Sequence, residues 1–109
     1  MARLSSLASV ADTRAVLDRF GLSTKKSLGQ HFLINDGVVE RICNLAELSH
    51  TDRVVEVGPG IGTLTEALLK RSGEVVSIER DTDLIEVLEE TCAPFSDTFL
   101  LISADALDV

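Results

Sequence analysis

Long hydrophobic runs are missing from this 109-residue chain, and cysteine, proline and basic residues are all scarce. The uninterrupted apolar stretches are only a few residues long, far below the ~20 that span a bilayer. No signal-peptide core forms at the N-terminus either, because Ser5, Ser6, Ser9 and Asp12 interrupt MARLSSLASVADTR. A soluble globular protein in the cytoplasm is therefore the default expectation. The two cysteines, Cys43 and Cys92, lack metal-site spacing, and each reads as a small apolar residue on a helix rather than half of a disulfide. There is no internal repeat and no low-complexity segment. The length suits one domain or part of a larger one.

Ten basic residues stand against eighteen acidic ones, a net charge of −8 that argues against a generally nucleic-acid-binding surface. The imbalance is uneven. Residues 1–32 hold five basic residues and two acids, whereas 33–109 hold the other five basic residues and sixteen acids. Any polyanion contact is thus expected in the N-terminal arm, where Lys25 and Lys26 open KKSLGQHFLI. A merely solvated basic segment fits the charges as well.

What is present is an alternation of helical and strand patterns. Asp12 is placed to cap a helix over TRAVLDRF, with Ala15, Val16 and Phe20 as its buried stripe and Gly21 as its end. Residues 22–34 have no period and read as loop. Asn35 or Asp36 caps a second helix, in which Val38, Val39, Ile42, Leu45 and Ala46 recur at helical spacing. DRVVEVGPG reads as a buried strand stopped by glycine, Thr63 to Arg71 as a helix ended by Gly73, and EVVSIER as a second strand. Asp81 caps a helix that Pro94 ends, and TFLLIS reads as a third strand. Strand–helix–strand–helix–strand predicts an α/β fold with a parallel sheet.

The first strand runs into VVEVGPGIGTLTEAL, with glycines at 58, 60 and 62. Such a loop lets the backbone turn out of the strand and approach a ligand closely. A dinucleotide fingerprint would place a small residue at position 63, where this chain has the branched Thr63. The pattern present is Glu56-x-Gly58-x-Gly60-x-Gly62. Glu79 ends the second strand twenty-one residues after Gly58, where a carboxylate can accept from both hydroxyls of a ribose. That acid serves dinucleotide and S-adenosyl ligands alike, so it marks a nucleoside without choosing between them. Asp105, past the third strand, is on its own equally a turn or helix cap.

The glycine pattern resembles the first motif of Rossmann-like class I methyltransferases that use S-adenosylmethionine. KKSLGQHFL followed by EVGPGIGTLT, IERD at 78–81 and Asp105 together resemble the ribosomal RNA adenine dimethyltransferases over roughly residues 13–109. The resemblance implies an N-terminal helix and cofactor-covering arm over 1–34, and the N-terminal portion of the methyltransferase domain over 35–109. It implies cofactor contacts from Gln30, His31, Leu33, Glu56, Gly58, Gly60, Glu79 and Asp105. Glu56 would lie near the cationic methionine end, Glu79 on the ribose and Asp105 on the adenine amine. His31 departs from the family's usual Asn, which makes the contact pH-dependent if the side chain makes it.

The implied reaction is transfer of a sulfonium methyl, twice, to adenine N6, by a protein expected to be monomeric at full length. The family acts on small-subunit or large-subunit rRNA; two adjacent adenines near the 3′ end of small-subunit rRNA are preferred, because KKSLGQHFL and EVGPGIGTLT are nearer that pattern than that of the erythromycin-resistance methylases. Implied partners are the rRNA and the 30S particle, with no metal and no membrane. The family aligns its adenine with an Asn/Asp-Leu/Ile-Pro-Tyr/Phe motif after a fourth strand, and engages rRNA partly through a C-terminal helical domain. Neither occurs in these 109 residues. In the family's strand order the first strand is central, so three strands alone would leave its edge unpaired. The chain is accordingly expected to be part of a longer methyltransferase and not to methylate on its own. The competing expectations are a nicotinamide-dependent oxidoreductase and a non-catalytic nucleoside-binding or ribosome-assembly module.

Overall fold

Ser9, and not Asp12, starts the first helix. In the computed structural model, which describes residues 4–22 and 35–108, helix α1 spans Val10–Arg19. The Ser9 hydroxyl accepts from the Asp12 backbone N–H at 3.1 Å and donates to the Asp12 carboxylate at 2.6 Å. Asp12 thus sits in the first turn, where its charge suits the helix N-terminus, instead of ahead of it. Ser9→Ala is expected to cost about 1 kcal/mol of stability, measurable by urea unfolding. The buried stripe also differs from expectation: it is Thr13, Val16 and Leu17, while Ala15 is exposed and Phe20 only partly covered. The face is chosen by what it meets, for Val16 and Leu17 join Leu7, Leu22, Ile61, Leu84 and Val87 in one apolar cluster.

Asn35 caps helix α2, Asp36–Ala46, by accepting from the Val38 N–H at 2.9 Å. Of its predicted apolar stripe only Val39 is buried, with Cys43 one turn on. Val38, Ile42, Leu45 and Ala46 lie exposed among the described residues, because only the Val39–Cys43 edge faces the core.

Strands β1 (Arg53–Val57), β2 (Glu74–Glu79) and β3 (Phe99–Ser103) form a parallel sheet in the order β1-β2-β3. Between them run helix α3, Thr63–Arg71, and helix α4, Thr82–Thr91, the latter capped by Asp81. Helix α3 ends at Ser72, whose N–H and hydroxyl both reach the Leu68 carbonyl, at 2.9 and 2.6 Å. Gly73, the expected terminator, instead donates to the Asp52 carbonyl and leads into β2. Pro94 lies in a short 3-10 turn, Ala93–Phe95, just past α4.

Period-two alternation puts Val54, Glu56, Val75, Ser77, Glu79, Phe99 and Leu101 on one face of the sheet. Val54, Val75, Phe99 and Leu101 pack there against Val39, Cys43, Ala67, Leu68, Leu88 and Cys92 from the three helices. Val55, Val57 and Leu100 on the opposite face are more than half exposed among the described residues. Within those residues β1 pairs with β2 alone, so its outer edge is open, as expected.

The N-terminal segment is fastened to α3 by a clasp that no local pattern announces. One oxygen of Glu66 accepts from the Ser5 hydroxyl (3.2 Å), the Ser6 N–H (2.8 Å) and the Ser6 hydroxyl (3.0 Å). The other oxygen lies 3.5 Å from the Lys70 ammonium. Residues 4–9 are thereby held beside the glycine loop that precedes α3.

Candidate functional site at the carboxyl ends of the strands

In a parallel sheet every strand ends on the same edge, so the residues that follow β1, β2 and β3 share one rim. Gly58 leaves β1 with its N–H on the Ile78 carbonyl at 3.0 Å. Glu79 is the next residue along β2, and its carbonyl accepts the Ala104 N–H at 3.0 Å. Asp105 follows Ala104. Neighbouring strands lie ~4.8 Å apart, so Gly58, Glu79 and Asp105 mark out a rim of about 10 Å.

The glycine loop is tight and held from behind. Gly58, Gly60 and Gly62 all have positive φ, at 69°, 63° and 99°. A Cβ on Gly58 would meet nothing within 4 Å, so open space adjoins the backbone there. At Gly62 a Cβ would stand 2.8 Å from the Thr91 hydroxyl and 3.3 Å from Cys92 Sγ and Leu88 Cδ2. Gly58 and Gly62 therefore have different reasons: Gly58 faces a space a ligand can enter, and Gly62 lets α4 approach. Between them Ile61 is 1% exposed, buried in the cluster that α1 completes, and its carbonyl accepts from the Thr91 hydroxyl at 2.9 Å.

Thr63, which breaks the dinucleotide pattern, is the first residue of α3 and is buried. Its hydroxyl has no partner among the described residues.

Three carboxylates lie at or beneath this edge of the sheet. Glu56 is partly buried beneath it. Its Oε1 accepts from the Thr65 hydroxyl at 2.5 Å and from the Ser77 hydroxyl at 2.9 Å. Burial raises its pKa above the ordinary carboxylate value, and the two hydroxyls partly offset that rise. Glu79 is 7% exposed, with Oε2 accepting from the Asp81 N–H at 3.0 Å. Asp105 accepts from the Leu107 N–H at 3.0 Å, capping the turn Ala106–Asp108, and its other oxygen lies 3.6 Å from the Arg80 guanidinium. The turn-cap reading of Asp105 is thus realised, and its carboxylate still stands on the rim. Glu56 beneath the glycine loop disfavours a pyrophosphate seated against that loop, whose charge has the same sign.

The structure brings Glu56, Gly58, Gly60, Glu79 and Asp105 together. Gln30, His31 and Leu33, with Lys25 and Lys26, lie outside the described residues. Thr65, Ser77 and Arg80, the partners of these acids, escape a reading of the sequence. A polar Ser77 inside the apolar strand EVVSIE is the available signal. Among the described residues no group of three or more His, Cys, Asp or Glu side chains is placed to hold a metal ion, and no helix is long and apolar enough to cross a membrane.

Residues 21–109 match the family described as ribosomal RNA adenine dimethylase. A ribosomal RNA small subunit methyltransferase A of Pediococcus pentosaceus is 48% identical over 95 residues, covering 87% of this chain and 32% of that protein. Among solved structures, the 23S rRNA methyltransferase ErmE is similar with TM-score 0.66 and 35% identity over 72% of this chain and 32% of its own. An RNA methyltransferase from Salinibacter ruber, in complex with S-adenosyl-L-homocysteine, gives TM-score 0.60 and 25% identity, covering 67% of this chain and 50% of its own. The sheet and helices are thus Rossmann-like, and the chain spans about a third of the length of the curated relatives it matches.

Proposed function

The chain belongs to the ribosomal RNA adenine dimethylase family, and from that premise we propose that it provides the S-adenosylmethionine site of an enzyme that dimethylates N6 of adenines in small-subunit rRNA. The observation that carries the proposal is the convergence of Gly58, Glu79 and Asp105 on one rim, with open space beside Gly58. When bound, S-adenosylmethionine supplies an electrophilic methyl on a sulfonium. The residues fit that molecule: a close backbone approach at Gly58 and Gly60, a carboxylate for the ribose at Glu79, one for the adenine amine at Asp105, and Glu56 for the cationic tail. Gln30, His31 and Leu33 complete the pocket in this reading.

An adenine N6 amine is a weak nucleophile, because its lone pair is delocalised into the ring. Rate enhancement then comes from holding it in line with the methyl while accepting its protons. That task belongs to the motif the family carries after a fourth strand. In this reading these 109 residues hold the cofactor, and the acceptor-aligning motif is not among them. The small-subunit name of the Pediococcus relative supports that rRNA as substrate; the 30S particle is the proposed setting. Lys25 and Lys26 are the candidate RNA contacts of this segment. The setting is ribosome biogenesis in the cytoplasm, by a protein monomeric at full length and needing no metal.

Calorimetric titration of the chain tests the reading. S-adenosylmethionine and S-adenosylhomocysteine are expected to bind and NAD not to; binding of NAD with neither sulfur nucleoside would refute it.

A further inference from the structure

Glu56 is an acid that the rest of the structure holds in one orientation. It stands opposite Ser77 in the β1–β2 register, and Thr65 reaches it from the first turn of α3. Ser77 and Thr65 are both 0% exposed, so neither hydroxyl can turn to water instead. Both spend their proton on the same oxygen, Oε1. The second oxygen makes no hydrogen bond among the described residues. Burying a carboxylate carries a desolvation cost, which the two hydroxyls on Oε1 offset in part and a donor on the second oxygen would offset further.

Resting on the function proposed above, we infer that Thr65 and Ser77 are positioning residues: by pinning one oxygen of Glu56 they present the other to the cationic amino-acid end of the S-adenosyl ligand.

The neighbouring charges leave that role to a ligand. On α3, Glu66 is occupied by Ser5, Ser6 and Lys70. On β2, Glu79 shares the face of Glu56 and accepts from the Asp81 N–H. At the end of α4 the Cys92 thiol is pushed up to about 11, chiefly by burial, and is neutral at physiological pH. None of these is a cation, so nothing among them neutralises Glu56. A carboxylate already oriented also spares the ligand the entropy of ordering it.

The sign of the pH dependence follows. A cationic tail binds the anionic form of Glu56, so affinity falls as pH drops through the carboxyl's raised pKa. Each hydroxyl lowers that pKa, so removing one moves the fall to higher pH.

The experiment compares S-adenosylhomocysteine with 5′-methylthioadenosine, which keeps the adenosine and lacks the amino-acid tail, across pH 4.5 to 8. In Thr65→Val and Ser77→Ala the homocysteine ligand is expected to weaken about tenfold, with its pH midpoint moved upward. Methylthioadenosine should hold its affinity within about twofold, and Thr65→Ser, which keeps the hydroxyl, should restore both readings. Equal losses for the two ligands would mean a structural role only and would overturn the inference. A ligand-free measurement runs beside it: carbon-13 titration of the Glu56 carboxyl. An unchanged midpoint in both variants overturns the pin itself, whereas a wild-type chain that binds neither nucleoside refutes the cofactor reading beneath it.

Discussion

Alanine at position 62 is expected to lower the unfolding free energy by about 3 kcal/mol, the sum of a left-handed backbone penalty of ~1–2 and an overpacking penalty of ~1–3. Gly62 has φ of 99°, and its new Cβ would press on Thr91, Cys92 and Leu88 of the neighbouring helix segment. The Thr91 hydroxyl cannot retreat without giving up the Ile61 carbonyl. Gly58→Ala makes the contrast. Its φ of 69° carries the same backbone penalty, but nothing lies within 4 Å of the new atom, so about 1–2 kcal/mol is the whole cost. The loss at Gly58 should appear in ligand affinity, because the methyl enters the space proposed for the cofactor. Urea unfolding of the two variants side by side checks the difference. Equal destabilisation would show that the open side of Gly58 is not open.

Glu79→Ala is expected to weaken S-adenosylhomocysteine binding about a hundredfold or more. Two ribose hydroxyls donating to one carboxylate are charge-assisted hydrogen bonds worth ~1.5–3 kcal/mol each, and alanine removes both. The stability cost should be smaller, about 1 kcal/mol, for the loss of the acceptor on the Asp81 N–H at the start of α4. Glu79→Gln keeps the shape and one acceptor, and an intermediate loss of about tenfold is expected. Calorimetry gives the affinities and urea unfolding the stabilities. A loss below about threefold for the alanine variant would remove Glu79 from the ribose.

Gly58 and Glu79 are legible in the sequence because their placement needs only topology. A glycine that stops an apolar run and an acid that ends the next one must reach the same edge of a parallel sheet. Asp105 obeys the same logic. The elements themselves are legible for related reasons: Asp81 and Asn35 cap where their side chains can reach the backbone, and α3 runs over Thr63–Arg71 as its pattern predicts. What fails is facing. Periodicity gives α1 and α2 an apolar stripe, but which edge is buried depends on the partner. Val38, Ile42 and Leu45 are exposed for that reason among the described residues, while Thr13 is buried. Ser9 displaces Asp12 as a cap because both fit locally and only the true start of the helix decides.

The polar links are the least legible. The Thr65–Glu56–Ser77 trio depends on strand register, and the Ser5–Ser6–Glu66 clasp joins residues about sixty apart in sequence. Neither has a local pattern. They matter because both tie the elements that flank the loop: the clasp joins the N-terminal segment to α3, and the trio joins β1 to α3 and β2. Gln30, His31 and Leu33 rest on the family resemblance, since they lie outside the described residues.

One edge of the sheet, at the carboxyl ends of its strands, is the proposed S-adenosyl site. Amide shift mapping by NMR, on adding S-adenosylhomocysteine to the labelled chain, tests it most directly. Changes are expected at Gly58, Gly60, Glu79 and Asp105, with Asp52, Arg53 and Gly73 at the opposite ends of the strands unmoved. Changes centred on Asp52, Arg53 and Gly73, or none on the rim at saturating ligand, would contradict it.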